Sequence, residues 1–454
     1  MATIRTYKEY PPIDKVFDLY QDESHAVFLD SSLRNSLGRY SIIGIHPYMT
    51  LVNGEQFTLN DKVMDCTFEE FLKDHLKGNF EENKTGLPIV SGAIGYFSYD
   101  YGLKKEGLVS RHEKEVEIPD CVFCFYDVFI IEDHQEKQLH LVANGQGMAC
   151  EARLDIIETQ ITDIKTKKPQ PGYGQVETKV EANFSKNDYL CALEKMIDYI
   201  IEGDIYIANM TQKLRIKSPC GPYELFKKLR QDNPSPFGGY FNYDDFQVVC
   251  ASPERFLKMT DRHVVTRPIK GTRKRGTTRQ EDEMNRQELA NSQKDKSELL
   301  MIVDLERNDL NKVCIPGTVK VGELFTVEQY ATVFHLVSNI DGDLEEGLTA
   351  MDLIGATFPG GSITGAPKLR AMEVIDELEH GRRDLYTGSM GYMSLDGNCD
   401  FNIVIRTVLY QNGTYHLGVG GGITCESILE DEYEETMQKA KAILESLKIK
   451  EMER

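Results

Sequence analysis

ASPERFLKMTDRHVVTRPIKGTRKRG, residues 251–276, opens as the end of an apolar strand begun at Gln247 and closes as a basic, glycine-containing loop. Two of its side chains carry chemistry. Glu254 follows Ser252-Pro253 at the strand end, where a carboxyl held partly out of water has a raised pKa and can act as a general acid. Lys270 stands 16 positions later in Pro268-Ile269-Lys270-Gly271. An amine with a carboxylic partner is the pattern of a nucleophile and its acid/base group. A free lysine is almost wholly protonated at neutral pH, so burial or positive neighbours such as Arg267 and Arg273 have to favour the neutral amine. Taken alone, the segment reads equally as a solvated basic loop and Glu254 as a strand-end residue.

The strands on either side set the fold class. Downstream come YTGSMGYMSL, FNIVIRTVLY and YHLGVGGGI. Upstream, residues 1–165 hold the β-rich pieces HAVFLDSS, YSIIGIHP, MTLVNGEQFTLN, VSGAIGYFSYDYG, CVFCFYDVFIIED and QLHLVAN. Alternating apolar residues and Gly/Asn/Asp breaks give these an antiparallel character. Helices are expected from Tyr189 to Gly203, over about 280–305 and over about 430–448. Because helices do not regularly separate the strands, the class is α+β, with large antiparallel sheets flanked by helices. Residues 166–186, polar with two prolines and two glycines, read as a linker between an N-terminal β-rich region (1–165) and a catalytic region (187–454).

With 454 residues, 41% of them hydrophobic, the chain can bury a large core. Its formal charge of −21 argues against nucleic acid or an anionic membrane as partner. An anionic substrate then needs a local cluster of Lys, Arg or metal. MATIRTYKEYPPIDKVF has no apolar h-region, so no secretion signal is expected, and no run reaches membrane-spanning length. Ten cysteines without framework spacing fit a reducing cytoplasm. Cys121-x-x-Cys124 lacks the second ligand pair of a zinc site.

Other candidates are legible from spacing. Asp295 and Glu298 share a helix face, and Glu432 and Glu435 repeat the interval; such pairs are ordinarily solvated. GGSITGAPKLRAMEVIDELE, residues 360–379, contains a helix start with Thr364 or Gly365 near the cap and an apolar stripe Leu369, Met372, Ile375. Such an end offers backbone amides to an anion, although the Lys-Ser/Thr of a phosphate loop is missing. GVGGGI at 418–423, with Gly420 and Gly421, offers further close amides, or simply turn geometry. Arg406 can grip a carboxylate bidentately. Lys439 lies one helical turn after Glu435. His335 has apolar neighbours, the usual setting of a core histidine.

EGDIYIANMTQ, ASPERF, PIKGTR, KDKSELLMIVDLERNDL, VFHLVSNIDG, PGGSITGAPKLRAMEVIDELE, YTGSMGY, FNIVIRT and GVGGGI follow one another from about residue 187 to the end. In this the chain resembles the chorismate-utilising enzymes, more weakly back to residue 28. The resemblance implies their two-sheet, sandwich-like fold. It makes Lys270, Glu254 and His335 catalytic, and places Thr364, Gly365, Tyr386, Arg406, Gly420, Gly421 and Lys439 around the substrate. It implies Mg²⁺ on Glu298 and Glu435 directly, with Asp295 and Glu432 through water. Pro-Ile-Lys-Gly-Thr is typical of aminodeoxychorismate synthase component I, and Pro-Ile-Ala-Gly-Thr of anthranilate synthase component I. Lys270 therefore implies amination of chorismate at C4, with anthranilate formation as the alternative. Ammonia would come from a separate glutamine amidotransferase subunit, since the chain shows no Gly-x-Cys-x-Gly nucleophile turn. Ser31, Pro236 and Phe237 lie where related proteins hold tryptophan, which also leaves a non-catalytic, tryptophan-responsive protein as a reading. One departure is Ile207, where isochorismate-forming relatives carry a lysine able to activate water.

Overall fold

The computed structural model describes residues 2–35, 37–164, 178–330 and 333–449. Most of the expected linker, residues 166–177, lies outside the described residues; its remainder holds the strand Lys179–Ala182 and the first residue of a helix at Lys186. The described strands pair antiparallel and join into one hydrogen-bonded network.

The strand Cys121–Asp133 shows how the layers arise. All of its residues are buried, and alternation sends successive side chains to opposite faces. Phe123 and Phe125 pack with Phe68 and Leu72 of the helix Phe68–Gly78. Val122 and Cys124 pack into a core built largely by strands, with Ile94 and Tyr96 from the first 165 residues and Phe241, Val248, Met390 and Tyr392 from the later ones. A third core sets helical Leu225, Phe226, Ala440 and Ile443 against strand residues. The order is helices, strands, strands, helices, which is the sandwich-like α+β arrangement. Cys121 and Cys124, three apart, fall on opposite faces in different cores and cannot share a metal.

The two halves of the chain share this sheet. Val27–Asp30 pairs with Phe237–Asn242, and Gly92–Phe97 pairs with Ser389–Ser394. No helix among the described residues is long and apolar enough to cross a membrane.

Several expectations need correction. The helix expected over 280–305 is two, Arg279–Asn291 and Gln293–Leu310, because the Ser292 hydroxyl caps the second at the Asp295 N–H. The tail of VSGAIGYFSYDYG is helical from Tyr99 to Lys105, capped by Ser98. Helices Phe68–Gly78, opened by a Thr67/Glu70 capping box, and Cys150–Thr162 interrupt the β-rich region. The helix expected to start near Thr364 begins at Lys368, with Pro367 at its cap. Leu369 is exposed, whereas Met372 and Ile375 are buried.

Candidate active site

Lys270 lies on the strand Ile269–Lys274, which pairs with Val333–Asp343. The register slips between Lys270 and Thr272, where Gly271 takes φ +70°. Glycine reaches that conformation without strain, and a Cβ there would meet the Asp295 carboxyl at 2.8 Å. The irregularity re-aims Lys270 away from the ladder, and its Nζ donates to the Ser362 carbonyl at 3.0 Å. Ser362 belongs to the short turn Gly361–Ile363.

Glu254 joins this group from the neighbouring hairpin. It is buried, and burial raises its carboxyl above the usual range, opposed by the Ser362 hydroxyl, Lys270, the Ile269 N–H and Lys439. A carboxyl so placed holds a proton more readily than one in water. His335 stands opposite Thr272, with Nδ1 2.9 Å from its Oγ1. Burial, then Arg406, pushes its imidazole down to about 3, so it is neutral near pH 7. Burial lowers the Arg406 guanidinium, against the pull of Glu254. Lys270, Glu254, His335 and Arg406 thus converge.

Glycines of the strand Thr414–Ile423 floor the site. A Cβ on Gly422 would lie 3.4 Å from Lys270 Nζ, 3.7 Å from Ile207 Cδ1 and 3.8 Å from Glu298 Oε2. One on Gly421 would lie 3.3 Å from Glu432 Oε2, 3.7 Å from Glu435 Oε1 and 3.9 Å from Lys439 Nζ. Lys439 donates to the Gly420 carbonyl and pairs with Glu435, each at 2.7 Å.

The four acidic residues are held by cations. Lys294 reaches Glu432 at 3.3 Å and Glu298 at 4.0 Å, and Arg273 holds Asp295 at 3.2 Å. Burial pushes Glu298 up to about 7, with Lys270 and Lys294 opposing and Asp295 and Glu432 adding. At Glu435 burial also pushes upward, but Lys439, Lys270 and Lys294 outweigh it and the net direction is down. As placed, no three or more His, Cys, Asp or Glu among the described residues form a metal-holding group. The donor set is nonetheless all carboxylate oxygen, the kind a hard divalent cation takes. Glu298 and Glu432, both within 4.0 Å of one ammonium, already share a cation. Asp295 is the member turned elsewhere, toward Arg273.

Arg267 and Arg273 do not supply the positive field expected around Lys270. Arg267 pairs with Glu323 and Glu328, and Arg273 with Glu288 and Asp295. The charges acting beside Lys270 are the carboxylates Glu254, Glu298 and Glu435.

Thr364 and Gly365 shape the wall. The Thr364 hydroxyl donates to the Gly360 carbonyl at 2.8 Å, and its own carbonyl accepts from the Asn209 N–H at 2.7 Å. A Cβ on Gly365 would lie 2.2 Å from the Ile207 carbonyl oxygen. Tyr386 sits farther down the glycine strand, its ring over Gly418, beside a small cavity lined by Lys213, Arg383, Asp384 and His416. Ser31 and Pro236 meet, Ser31 Oγ donating to the Pro236 carbonyl at 2.8 Å. The Phe237 ring lies under Arg255, its centroid 4.6 Å from the guanidinium carbon. Sequence reasoning missed Ser362 and Lys294. Ser362 acts partly through its backbone carbonyl, which has no residue signature, whereas Lys294 lay in view at the start of the quoted KDKSELLMIVDLERNDL.

Known proteins resemble this chain along nearly its whole length. Residues 25–445 match the family described as chorismate binding enzyme. The aminodeoxychorismate synthase component 1 of Bacillus subtilis is 36% identical over 450 residues, 96% of this chain and 94% of that protein. The anthranilate synthase component 1 of Thermus thermophilus is also 36% identical, over 99% of each. Among solved structures, anthranilate synthase component I from Streptococcus pneumoniae TIGR4 aligns with a TM-score of 0.80 at 28% identity, covering 90% of this chain and 93% of that one. On the convergence of these residues and the match along nearly its whole length, the chain belongs to the chorismate binding enzyme family.

Proposed function

We propose that this chain is the aminating component of an aminodeoxychorismate synthase, converting chorismate and ammonia to 4-amino-4-deoxychorismate for 4-aminobenzoate and folate synthesis. The observation that carries the reading is Lys270, an amine beside Glu254 at the glycine floor where a ring would lie. Lys270 Nζ attacks C2 of the ring as the C4–O bond breaks, and Glu254 donates the proton with which the hydroxyl leaves as water. Ammonia then bonds to C4 as the C2–N bond to lysine breaks, and the lysine returns free. For each attack the neutral amine is the reactive form.

Arg406 and the amides of Gly420 and Gly421 bind carboxylates of the substrate, and His335, neutral, orients a ring hydroxyl. Mg²⁺ would be held by Glu298 and Glu435, with Glu432 and Asp295 nearby, and would fix and polarise a substrate carboxylate. Ammonia comes from a separate glutamine amidotransferase subunit. Ile207, beside Lys270 and unable to act as a base, favours amination over hydration of the ring.

The test is incubation with chorismate, Mg²⁺ and ammonium, with products identified by mass. The expected product retains the enolpyruvyl group and yields 4-aminobenzoate with an added lyase; Lys270→Ala abolishes or reroutes its formation. Anthranilate plus pyruvate from the native chain would overturn the reading. So would undiminished C4 amination by the Lys270→Ala variant.

A further inference from the structure

Beneath Glu254 lies a second carboxyl that the proposed reaction does not use. Glu306, on the helix Gln293–Leu310, is 8% exposed. It packs under the turn that carries Ser362, where a Cβ on Gly361 would lie 3.4 Å from its Cγ. Its Oε2 is 3.0 Å from Thr266 Oγ1, and that same Oγ1 is 2.6 Å from the Phe256 carbonyl oxygen. A hydroxyl has one proton to donate. A carbonyl oxygen can only accept, so the shorter contact takes the proton of Thr266. The Oγ1 of Thr266 is then left to accept from Glu306, which requires a protonated carboxyl. The Phe256 carbonyl stands at a slip in the ladder, where the register with Cys399–Asn402 shifts between Arg255 and Leu257.

The charged groups facing Glu306 agree. Glu254 and Asp309 are both acidic; Lys368, the cation that reaches it, has its ammonium on Asp309 at 2.5 Å and on the Thr357 carbonyl at 2.7 Å. Burial first, then these carboxylates, pushes Glu306 up to about 8, with Lys368 opposing.

We propose that Glu306 is a positioning residue that keeps its proton while the site works, so that Glu254 gives up and regains a proton without a second negative charge beside it. This inference rests on the acid/base reading of Glu254. An ionised Glu306 would disfavour the Glu254 carboxylate and break the contact that ties the helix to Thr266. Glutamine at 306 preserves both the shape and the donor, whereas alanine removes both.

The experiment compares the native chain, Glu306→Gln and Glu306→Ala. Infrared difference spectra at pH 6.5, with glutamate carboxyls isotopically labelled, are expected to show a protonated-carboxyl band in the native chain that Glu306→Gln lacks. Chorismate turnover of the native chain is expected to fall about tenfold per pH unit once Glu306 ionises, a limb absent from Glu306→Gln. Glu306→Ala is expected to lose about tenfold near neutrality, the cost of a donor to a buried acceptor, with Glu306→Gln restoring it. A spectrum without that band at pH 6.5 overturns the proposal, as does an alkaline limb unchanged in Glu306→Gln. A chain that leaves chorismate untouched refutes the proposed function, while the infrared comparison still decides where the Glu306 proton lies.

Discussion

Replacing Gly422 by alanine separates folding from chemistry at this site. The new methyl would lie 3.4 Å from Lys270 Nζ, 3.7 Å from Ile207 Cδ1 and 3.8 Å from Glu298 Oε2, all ordinary contact distances. No backbone atom is struck, and glycine-to-alanine at a compatible conformation stabilises by about 0.4–1 kcal/mol through the unfolded chain. Stability is therefore expected to hold or rise slightly in urea unfolding. Chemistry fares differently, because reacting atoms must come within about 3–3.5 Å of one another. The methyl occupies that shell around an amine anchored by the Ser362 carbonyl at 3.0 Å. Displacing the ring by about 1 Å costs about 100-fold, or about 2.7 kcal/mol of barrier. The assay is kcat/KM for chorismate under saturating Mg²⁺ and ammonium, beside the urea midpoint. Turnover within threefold of native at unchanged stability would refute the placement of the substrate over Gly422.

Gly365→Ala should do the reverse, since its Cβ would lie 2.2 Å from the Ile207 carbonyl oxygen and 2.8 Å from Ala371 Cβ. A loss of about 1–3 kcal/mol is expected, read as a lowered urea midpoint. Glu379→Ala leaves Arg383, now paired at 2.7 Å with both side chains under 5% exposed, as a buried charge without its carboxylate. The expected loss is about 3–5 kcal/mol, and a change below 1 kcal/mol would contradict the pairing. His335 contributes to acid sensitivity. The unfolded imidazole takes a proton below about 6.5 and the native one only near 3, so stability drains away as pH falls through that window. This group alone removes about 1.6 kcal/mol between pH 6.5 and 5; urea titrations of native and His335→Asn chains at the two pH values should differ by that amount.

What could be read from residues alone followed the range of the interactions. A nearly continuous apolar run marks Cys121–Asp133, because burial on both faces leaves its record at every position of the strand. Lys270 and Glu254 stood out through the motifs that carry the resemblance, and one hairpin and its neighbour bring the two side chains together. The helix Phe68–Gly78 was overlooked although Thr67, Glu70 and the spacing of Phe68, Leu72 and Leu76 announce it; a β-rich setting outweighed a local signal. The break at Ser292 lay in a serine whose capping role competes with uninterrupted helical spacing. Arg267 and Arg273 misled because formal charge says nothing about the carboxylates at 323, 328 and 288 that fold against them. The oxygen of Ser362 that receives Lys270 belongs to the backbone, and only the fold brings it there.

The shared sheet has a consequence for how the chain is made. Phe97 finds its partner in Ser389, and Phe28 in Tyr240, residues that leave the ribosome much later. At about 5–20 residues per second, the N-terminal strands wait some tens of seconds for their neighbours. Throughout that interval Gly92–Phe97, apolar and destined for burial, presents an open rim to any other nascent strand. The hazard of this sheet therefore falls in the interval before Ser389 is made, rather than in the folded state.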